Sequence, residues 1–243
     1  MNLRYGLKEV ANVIFFDVTT NKPVIFFDTL KVSTIENTSE SAEARGGQGN
    51  GKLMTWDYGR TATLTMQDAL LSDLSLSLLA GTTVKSQDVT VVGREVLTVS
   101  GGEVTLKEAP VANSVTAYEV IKGTMGQEIL APTIAGNTVT LTGATDGDQV
   151  MVFYSYVSAN KATQVTFSAD KFPATYRVVG DTIVRGEDGV DRVMQFVIPK
   201  AKLQTNFTLT MEAENVSTFD FTLDVLVDTS TEDKKLYDII RVN

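Results

Sequence analysis

The chain has 243 residues, no cysteine and no histidine, and its 30 acidic and 21 basic side chains give a formal charge of −9. The two missing residue types exclude disulfide bonds, Ser-His-Asp and Cys-His catalysis, and zinc or iron sites built on those ligands. The acidic balance argues against a surface that grips nucleic acid by neutralising phosphates. These exclusions favour a structural or binding protein, and we expect no catalytic residue and no cofactor.

Two short apolar runs open the chain and predict a β-hairpin. Val13–Phe16 and Pro23–Phe27 are rich in β-branched and aromatic residues, and Thr19–Lys22 between them is typical of a turn. An aspartate follows each run, at Asp17 and Asp28, where it would serve as a turn former.

A glycine-rich segment comes next, with Gly46, Gly47, Gly49 and Gly51 lying close together. Its spacing up to Lys52 matches the phosphate-binding pattern G-x-x-x-x-G-K, but Leu53 stands where that motif needs Ser or Thr. The residues before it are polar and acidic, and the residues after it alternate like a strand instead of forming the required helix. We therefore reject a nucleotide site and predict a long flexible loop over Ser33–Lys52 that orders against another chain.

The residues after the loop predict a half-buried strand over Leu53–Met66, because threonines alternate there with apolar side chains. This strand carries the only tryptophan, Trp56, and places Tyr58 on the same face two residues later. The usual role of such a pair is core packing or a subunit contact. Three basic residues flank the glycines, Arg45, Lys52 and Arg60, and they are either solvated or form salt bridges between subunits. The candidate interface residues are Arg45, Gly46, Gly47, Gly49, Gly51, Lys52 and Trp56.

The spacing of apolar residues then changes from that of a strand to that of a helix and predicts one helix, Asp68–Ala80. Asp68 suits the N-cap, and Gly81 stands where a left-handed residue ends a helix. The helix would turn an apolar stripe towards a sheet. That stripe consists of Leu70, Leu71, Leu74 and Leu78.

The middle of the chain has a different sequence pattern, with about seven short strand-like segments separated by turn residues. This pattern predicts a small β-sandwich of immunoglobulin-like architecture over residues 92–157. The flanking segments, residues 1–91 and 158–243, would together form one discontinuous β domain into which the sandwich is inserted.

Near the C-terminus, Phe219–Val227 alternates between apolar and polar residues and predicts a strand. Asp220, Asp224 and Asp228 would share one face of it, about 13 Å apart from one to the next, which is too far to share a proton. They predict a solvated or lumen-facing acidic stripe. The other acidic clusters, Asp146–Asp148 and Glu187–Asp191, suit turns, and we assign no metal site.

The order of these parts resembles that of bacteriophage tail tube (major tail) proteins. The resemblance lies in the N-terminal strands, the long polar segment Ser33–Lys52, and a strand, W-D-Y-G-R-T-A-T-L-T, that runs into the leucine-rich helix after Gln67-Asp68-Ala69. It covers residues 1–90 and 163–243. It is a likeness of pattern and includes no diagnostic motif.

The resemblance implies a mainly β fold, a sandwich or barrel with one flanking helix, whose copies form stacked hexameric rings. Those rings would line a channel for DNA in a virion tail assembled in the bacterial cytoplasm. It implies as partners the tape measure, terminator, baseplate or sheath proteins, with neither specific DNA binding nor a membrane. Many members of the family carry an added immunoglobulin-like domain, commonly at the C-terminus, whereas the sandwich here lies mid-chain. The alternatives are a capsid decoration or other virion surface protein, and a glycan-binding protein that uses carboxylates.

Overall fold

A computed structural model describes residues 4–86, 88–129, 132–159, 162–211, 213, 218–230 and 232–242. The chain divides into two compact units, Met1–Thr83 with Val165–Asn243, and Val84–Gln164. Strands dominate both units and one α-helix lies in the described part of the chain, so the prediction of a mainly β fold with one helix is confirmed.

The elements are numbered in chain order. The first part of the chain forms β1 (Tyr5–Leu7), β2 (Asn12–Asp17), β3 (Pro23–Phe27), β4 (Leu30–Gly46), β5 (Gly51–Asp68) and α1 (Asp73–Ala80). The middle part forms β6 (Thr90–Thr98), β7 (Glu103–Thr105), β8 (Thr116–Ile121), β9 (Thr124–Ile129), β10 (Thr133–Ala135), β11 (Thr138–Thr140) and β12 (Gln149–Val157). The last part forms β13 (Thr175–Gly186), β14 (Asp191–Leu203), β15 (Phe219–Val225) and β16 (Asp238–Arg241).

The first unit is built on one antiparallel nine-stranded sheet with the order β3-β2-β13-β14-β15-β5-β4, to which β1 and β16 add beside β13 and β14. The N-terminal hairpin forms as predicted. Asp17 makes its turn, because its carboxylate accepts hydrogen bonds from the backbone N–H groups of Thr19 (3.0 Å) and Thr20 (2.7 Å). These bonds hold the pKa of Asp17 below its ordinary value, the Thr20 backbone bond having the largest effect.

This sheet curls around its own core. Phe27 on β3 packs against Phe221 on β15 with ring centroids 5.3 Å apart, although three strands separate β3 from β15 in the sheet. Phe15 packs against Phe27 at 5.2 Å. One face of the sheet is therefore the inner, apolar face, and the opposite face is turned outwards.

The helix begins later than predicted. Asp68 is the last residue of β5, where its buried carboxylate accepts hydrogen bonds from Thr29 Oγ1 (2.5 Å) and the Leu70 N–H (3.3 Å). Ser72 is the N-cap instead. Its hydroxyl accepts a hydrogen bond from the Ser75 N–H at 3.0 Å, and the Ser75 hydroxyl accepts one from the Ser72 N–H, which completes a capping box. The prediction of Asp68 as the cap was wrong because that carboxylate is already used by the sheet.

The predicted end of the helix is confirmed. Gly81 has φ 62° and ψ 30°, the left-handed conformation of a C-terminal cap. A side chain at this position would also overlap the backbone of Phe172. Glycine is therefore required here for both its conformation and its size.

Most of the predicted apolar stripe of this helix does not pack on the sheet. Because α1 begins at Asp73, Leu70 and Leu71 precede the helix, and both are exposed, as is Leu74 in its first turn. Only Leu78 of the stripe is buried.

The second unit is a β-sandwich of two sheets, β6-β12-β8-β9 and β10-β11-β7. Val104 and Val139 from the smaller sheet share a core with Ala117, Val150 and Val152 from the larger one. The immunoglobulin-like character of this unit stays a prediction, as does its assignment as a separate domain over residues 92–157.

The ends of the second unit are adjacent in space. Lys85 and Gln164 exchange two backbone hydrogen bonds, of 3.0 and 2.9 Å, in an isolated antiparallel bridge. The chain therefore enters and leaves this unit at neighbouring points, outside the predicted limits at residues 92 and 157.

Candidate functional site

The first unit carries a long hairpin formed by β4 and β5, of 17 and 18 residues. Its base packs into the core through Leu30, Ala62, Leu64 and Met66, which are buried. Residues 36–61, in contrast, have no buried side chain on either strand. We call residues 36–61 the hairpin arm.

The prediction of a flexible loop over Ser33–Lys52 is wrong. Those residues continue β4 to Gly46, which pairs with Gly51, so that only residues 47–50 form a turn. Gly47 and Gly49 make this turn with φ values of 81° and 84°. The strand was missed because its Ser, Thr and Glu side chains are exposed on both faces and show no apolar alternation.

The glycine pattern therefore lies at the tip of an antiparallel hairpin. A phosphate-binding loop instead connects a strand to the N-terminus of a helix. The arrangement of Gly46–Lys52 thus lacks the backbone geometry that would cradle a phosphate group.

The two basic residues at this tip are bound within the arm. Glu43 accepts from Arg45 at 2.7 Å and also pairs with Lys52, while Arg45 lies opposite Lys52 in the hairpin. In the single chain these charges help to close the tip. Their predicted role in salt bridges between subunits stays a prediction.

One face of the arm is apolar and contains the predicted residue Trp56. Met54, Trp56 and Tyr58 alternate along β5, and 54% of each side chain is exposed. Ala44 and Ala42 lie directly opposite Met54 and Trp56 on β4, so they share this face. We call these five residues the aromatic face; a charged residue, Glu40, lies opposite Tyr58 at its edge.

Large exposed apolar side chains in a continuous row mark an interaction surface. The opposite side of the arm is polar, and Ser41 there donates a hydrogen bond to Asp57 (2.7 Å). Trp56 and Tyr58 are predicted from the sequence to share a strand face that packs in the core or contacts a subunit, and the structure places both on the aromatic face. The alternation Met-x-Trp-x-Tyr is a signal that could have identified Met54 as well.

The outer face of the sheet at the base of the arm is polar and acidic. Three rows cross it from strand to strand, and we call them together the threonine face. The rows are Asp224–Thr63–Glu36, Thr222–Thr65–Thr34 and Asp220–Gln67–Val32, of which Val32 is the one apolar member.

Side-chain amides hold both aspartates of this face. Gln67 donates a hydrogen bond to Asp220 at 3.0 Å, and Gln204 donates one to Asp224 at 2.8 Å. The structure thus brings Asp220 and Asp224 onto one exposed strand face, as predicted.

The third predicted member of the acidic stripe, Asp228, does not belong to it. The strand ends at Val225, and Asp228 accepts hydrogen bonds from the Ser230 hydroxyl (2.7 Å) and N–H (2.9 Å) in the turn that follows. These two bonds hold the pKa of Asp228 below its ordinary value, the hydroxyl bond having the larger effect. The predicted spacing was wrong because it assumed a strand as far as Val227.

The remaining charged clusters are structural. At the β13–β14 turn, Arg192 donates to Asp188 at 2.6 Å and lowers the pKa of that carboxyl to about 2. Within the described ranges, no group of three or more acidic side chains is placed to hold a metal ion. The one helix in the described part of the chain is also too short to cross a bilayer.

Comparison with known families identifies the class of the protein. The model of the YomU/Tube protein family matches residues 5–239, almost the whole chain. This is a structural protein of the phage tail tube class, and the resemblance to tail tube proteins is confirmed. The chain belongs to the YomU/Tube protein family. No curated protein matches the chain.

Membership in this family implies self-assembly and contact with other tail proteins, and it suggests a component of the virion tail.

Proposed function

We propose that copies of this chain form hexameric rings, and that these rings stack into a tail tube through which DNA is ejected into the host. The observation that carries the proposal is the hairpin arm, which presents the aromatic face to solvent. Tryptophan, tyrosine and methionine are enriched in protein interfaces, and a buried Trp or Tyr often dominates binding energy. A second copy bound over the aromatic face would remove these apolar side chains from water.

The sheet also has open edges that a ring would close. In the described part of the chain, β3 and β4 are the end strands of the sheet order, and the 17-residue β4 pairs there with β5 alone. Unpaired strand edges promote association with other chains. Pairing between neighbouring copies around a ring would use these edges and leave none free.

The threonine face suits the lumen of such a tube. Its hydroxyl and amide groups are neutral, and Asp220, Asp224 and Glu36 give it a negative charge that repels the phosphates of DNA. Lys202 lies opposite Asp224 on the same face and offsets part of that charge. We assign the lumen role to Asp220 and Asp224 and withdraw Asp228.

The proposal also includes the expected partners, the place of assembly and the lack of a cofactor and of catalysis. The tube would contact tape measure, terminator, baseplate or sheath proteins and would assemble in the bacterial cytoplasm. It would bind no cofactor and catalyse no reaction.

Sedimentation velocity tests the arm's role in assembly. The variant Trp56→Glu places a charge on the aromatic face of the arm, far from the core. We expect it to sediment as a monomer at concentrations where the wild type assembles, with an unchanged circular dichroism spectrum. Val92→Glu, at an exposed position of the second unit, is the matched control and should assemble normally. A Trp56→Glu protein that assembles like the wild type would contradict the proposal.

A further inference from the structure

The turn at the tip of the hairpin arm contains an asparagine that is followed by a glycine. Asn50 is the last residue of the turn over residues 47–50, and Gly51 is the first residue of β5. No other asparagine in the sequence precedes a glycine. The pair belongs to the glycine-rich segment that matches the spacing of a phosphate-binding loop, and its chemistry gives that segment a different significance.

An Asn-Gly pair has the groups for a reaction within the chain. The backbone nitrogen of the glycine attacks the side-chain carbonyl carbon of the asparagine, and the new C–N bond closes a succinimide ring. The amide nitrogen leaves as ammonia and takes the proton that the glycine nitrogen loses. Water then opens the ring at either carbonyl and leaves aspartate or isoaspartate. The net reaction consumes water, releases ammonia and involves no change of oxidation state. Glycine favours it because no Cβ hinders the attacking nitrogen.

The structure leaves both partners of this reaction accessible. Asn50 is exposed, and among the described residues no hydrogen bond holds its side-chain amide. A Cβ added at Gly51 would meet nothing within 4 Å, so the space beside the attacking nitrogen is open. Gly51 pairs with Gly46 in the last pair before the turn. That pair opens at little cost, because no side chain of the arm is buried.

Two other asparagines share the left-handed conformation of Asn50, which has φ 50°, and each is held more firmly. The side-chain oxygen of Asn21 (φ 53°) accepts a hydrogen bond from Arg177 at 3.0 Å. After Asn113 (φ 59°), the N–H that would attack donates instead to the Val111 carbonyl at 3.2 Å. Sequence and local structure thus both favour reaction at Asn50.

We infer that Asn50 deamidates spontaneously in the folded, free chain, and that a copy modified in this way is lost from tube assembly. The second step rests on the proposed function. A copy that assembles promptly does so with Asn50 intact. The Asn-Gly pair therefore limits how long a free copy stays competent to assemble.

The products change both the charge and the length of the turn. The ionic residues between positions 43 and 52 are Glu43, Arg45 and Lys52, and a new carboxylate at position 50 cancels their net positive charge. Isoaspartate also adds a carbon to the backbone of a turn that consists of residues 47–50. Because the length of a hairpin turn sets the register of its strands, the longer turn disturbs the pairing at the tip.

Peptide mass spectrometry tests the reaction itself. Trypsin releases Gly46–Lys52 as one peptide, since Arg45 and Lys52 border it. During incubation of the folded protein at mildly alkaline pH, we expect this peptide to gain with time the mass of OH in place of NH2. Fragment ions should place the change at Asn50 and not at Gln48. The tryptic peptide that contains Asn113 is the matched control and should keep its mass over the same time.

The isolated peptide Gly46–Lys52, incubated in the same way, supplies the reference rate. An Asn50 that stays intact in the folded protein while the isolated peptide reacts completely would overturn the inference.

Two variants identify the reacting groups. Asn50→Gly adopts positive φ freely and lacks the amide, so its peptide should keep its mass. Gly51→Val should react at least about tenfold more slowly, because its branched side chain hinders the attacking nitrogen. Equal rates in Gly51→Val and the wild type would overturn the inference, since the nitrogen of residue 51 would then not be the attacking group.

Assembly of an aged sample tests the second step. Wild-type protein is incubated until intact and modified forms are both abundant, and it is then concentrated and separated by centrifugation into tubes and free chains. We expect the modified form to be enriched several-fold among the free chains, and aged Asn50→Gly to assemble as well as fresh Asn50→Gly. Equal proportions of the modified form in both fractions would overturn the second step. A fresh wild type that forms no tubes would overturn the proposed function together with this step, whereas the mass spectrum decides the reaction at Asn50 independently.

Discussion

Trp56 lies directly opposite Ala42 across the β4–β5 hairpin, on a face of the arm that the core of the unit does not cover. Trp56 is 54% exposed, so more than half of its surface stays open to a partner. This property makes Trp56 a direct reporter of assembly.

Because Trp56 is the only tryptophan, its fluorescence reports on the arm alone. We expect the emission maximum to shift to shorter wavelength, and acrylamide quenching to fall, as the protein concentration is raised through the assembly range. Both changes follow from removal of the ring from water. Emission and quenching that stay the same in monomer and assembly would show that another copy does not cover the aromatic face.

The turn at the tip of the arm should be needed for assembly and dispensable for the core. Gly47 and Gly49 have positive φ, which costs other residues about 1–2 kcal/mol each and β-branched residues more. We expect Gly47→Val with Gly49→Val to disrupt the arm and prevent assembly, while the thermal unfolding of the monomer changes little.

Gly51→Val is the control for this prediction. Gly51 lies in a strand, where valine is favoured, and an added side chain there meets nothing within 4 Å. Assembly of the double valine variant at the wild-type concentration would contradict the importance of the turn.

The second unit should be removable. Because Lys85 and Gln164 exchange backbone hydrogen bonds, a short Gly/Ser linker can replace Val84–Gln164 without stretching the chain. We expect the shortened protein to fold and to assemble, as measured by circular dichroism and sedimentation. An insoluble or unfolded product would show that the two units depend on each other for stability.

One tyrosine of the second unit should ionise only at unusually high pH. Burial, reinforced by a 2.5 Å hydrogen bond from the Tyr154 hydroxyl to Glu95, raises the pKa of Tyr154 from 10.0 to about 12. The folded state favours the neutral phenol, so this stabilisation is complete below pH 10 and is lost as the pH rises towards 12. An ultraviolet titration should show a late step that is missing in Tyr154→Phe. The same late step in the variant would contradict this assignment.

Alternation in the sequence predicted much of the fold because it reflects burial of one strand face. In β2, in residues 62–68 of β5 and in β12, buried side chains alternate with more exposed ones. The distal part of β4 could not be predicted in this way, since its residues Glu36–Ala42 are exposed on both faces and their pairing with β5 holds them in place.

Errors at the ends of elements came from side chains with competing partners. Asp68 has the right chemistry for a helix cap, but a strand neighbour, Thr29, takes its carboxylate. Asp228 has the right spacing for the acidic stripe, but its bonds to Ser230 belong to a turn. The hydrogen-bond partner of each aspartate depends on contacts distant in sequence or on local turn geometry. The alternation of apolar and polar residues carries no information about either.

Electron microscopy of the concentrated, negatively stained wild-type protein tests the central claim most directly. We predict rings with six-fold symmetry and a central hole, stacked into tubes that Trp56→Glu abolishes and Val92→Glu leaves unchanged. Monomers or closed dimers at every concentration, with no ring and no tube even beside preformed tail tips, would contradict it.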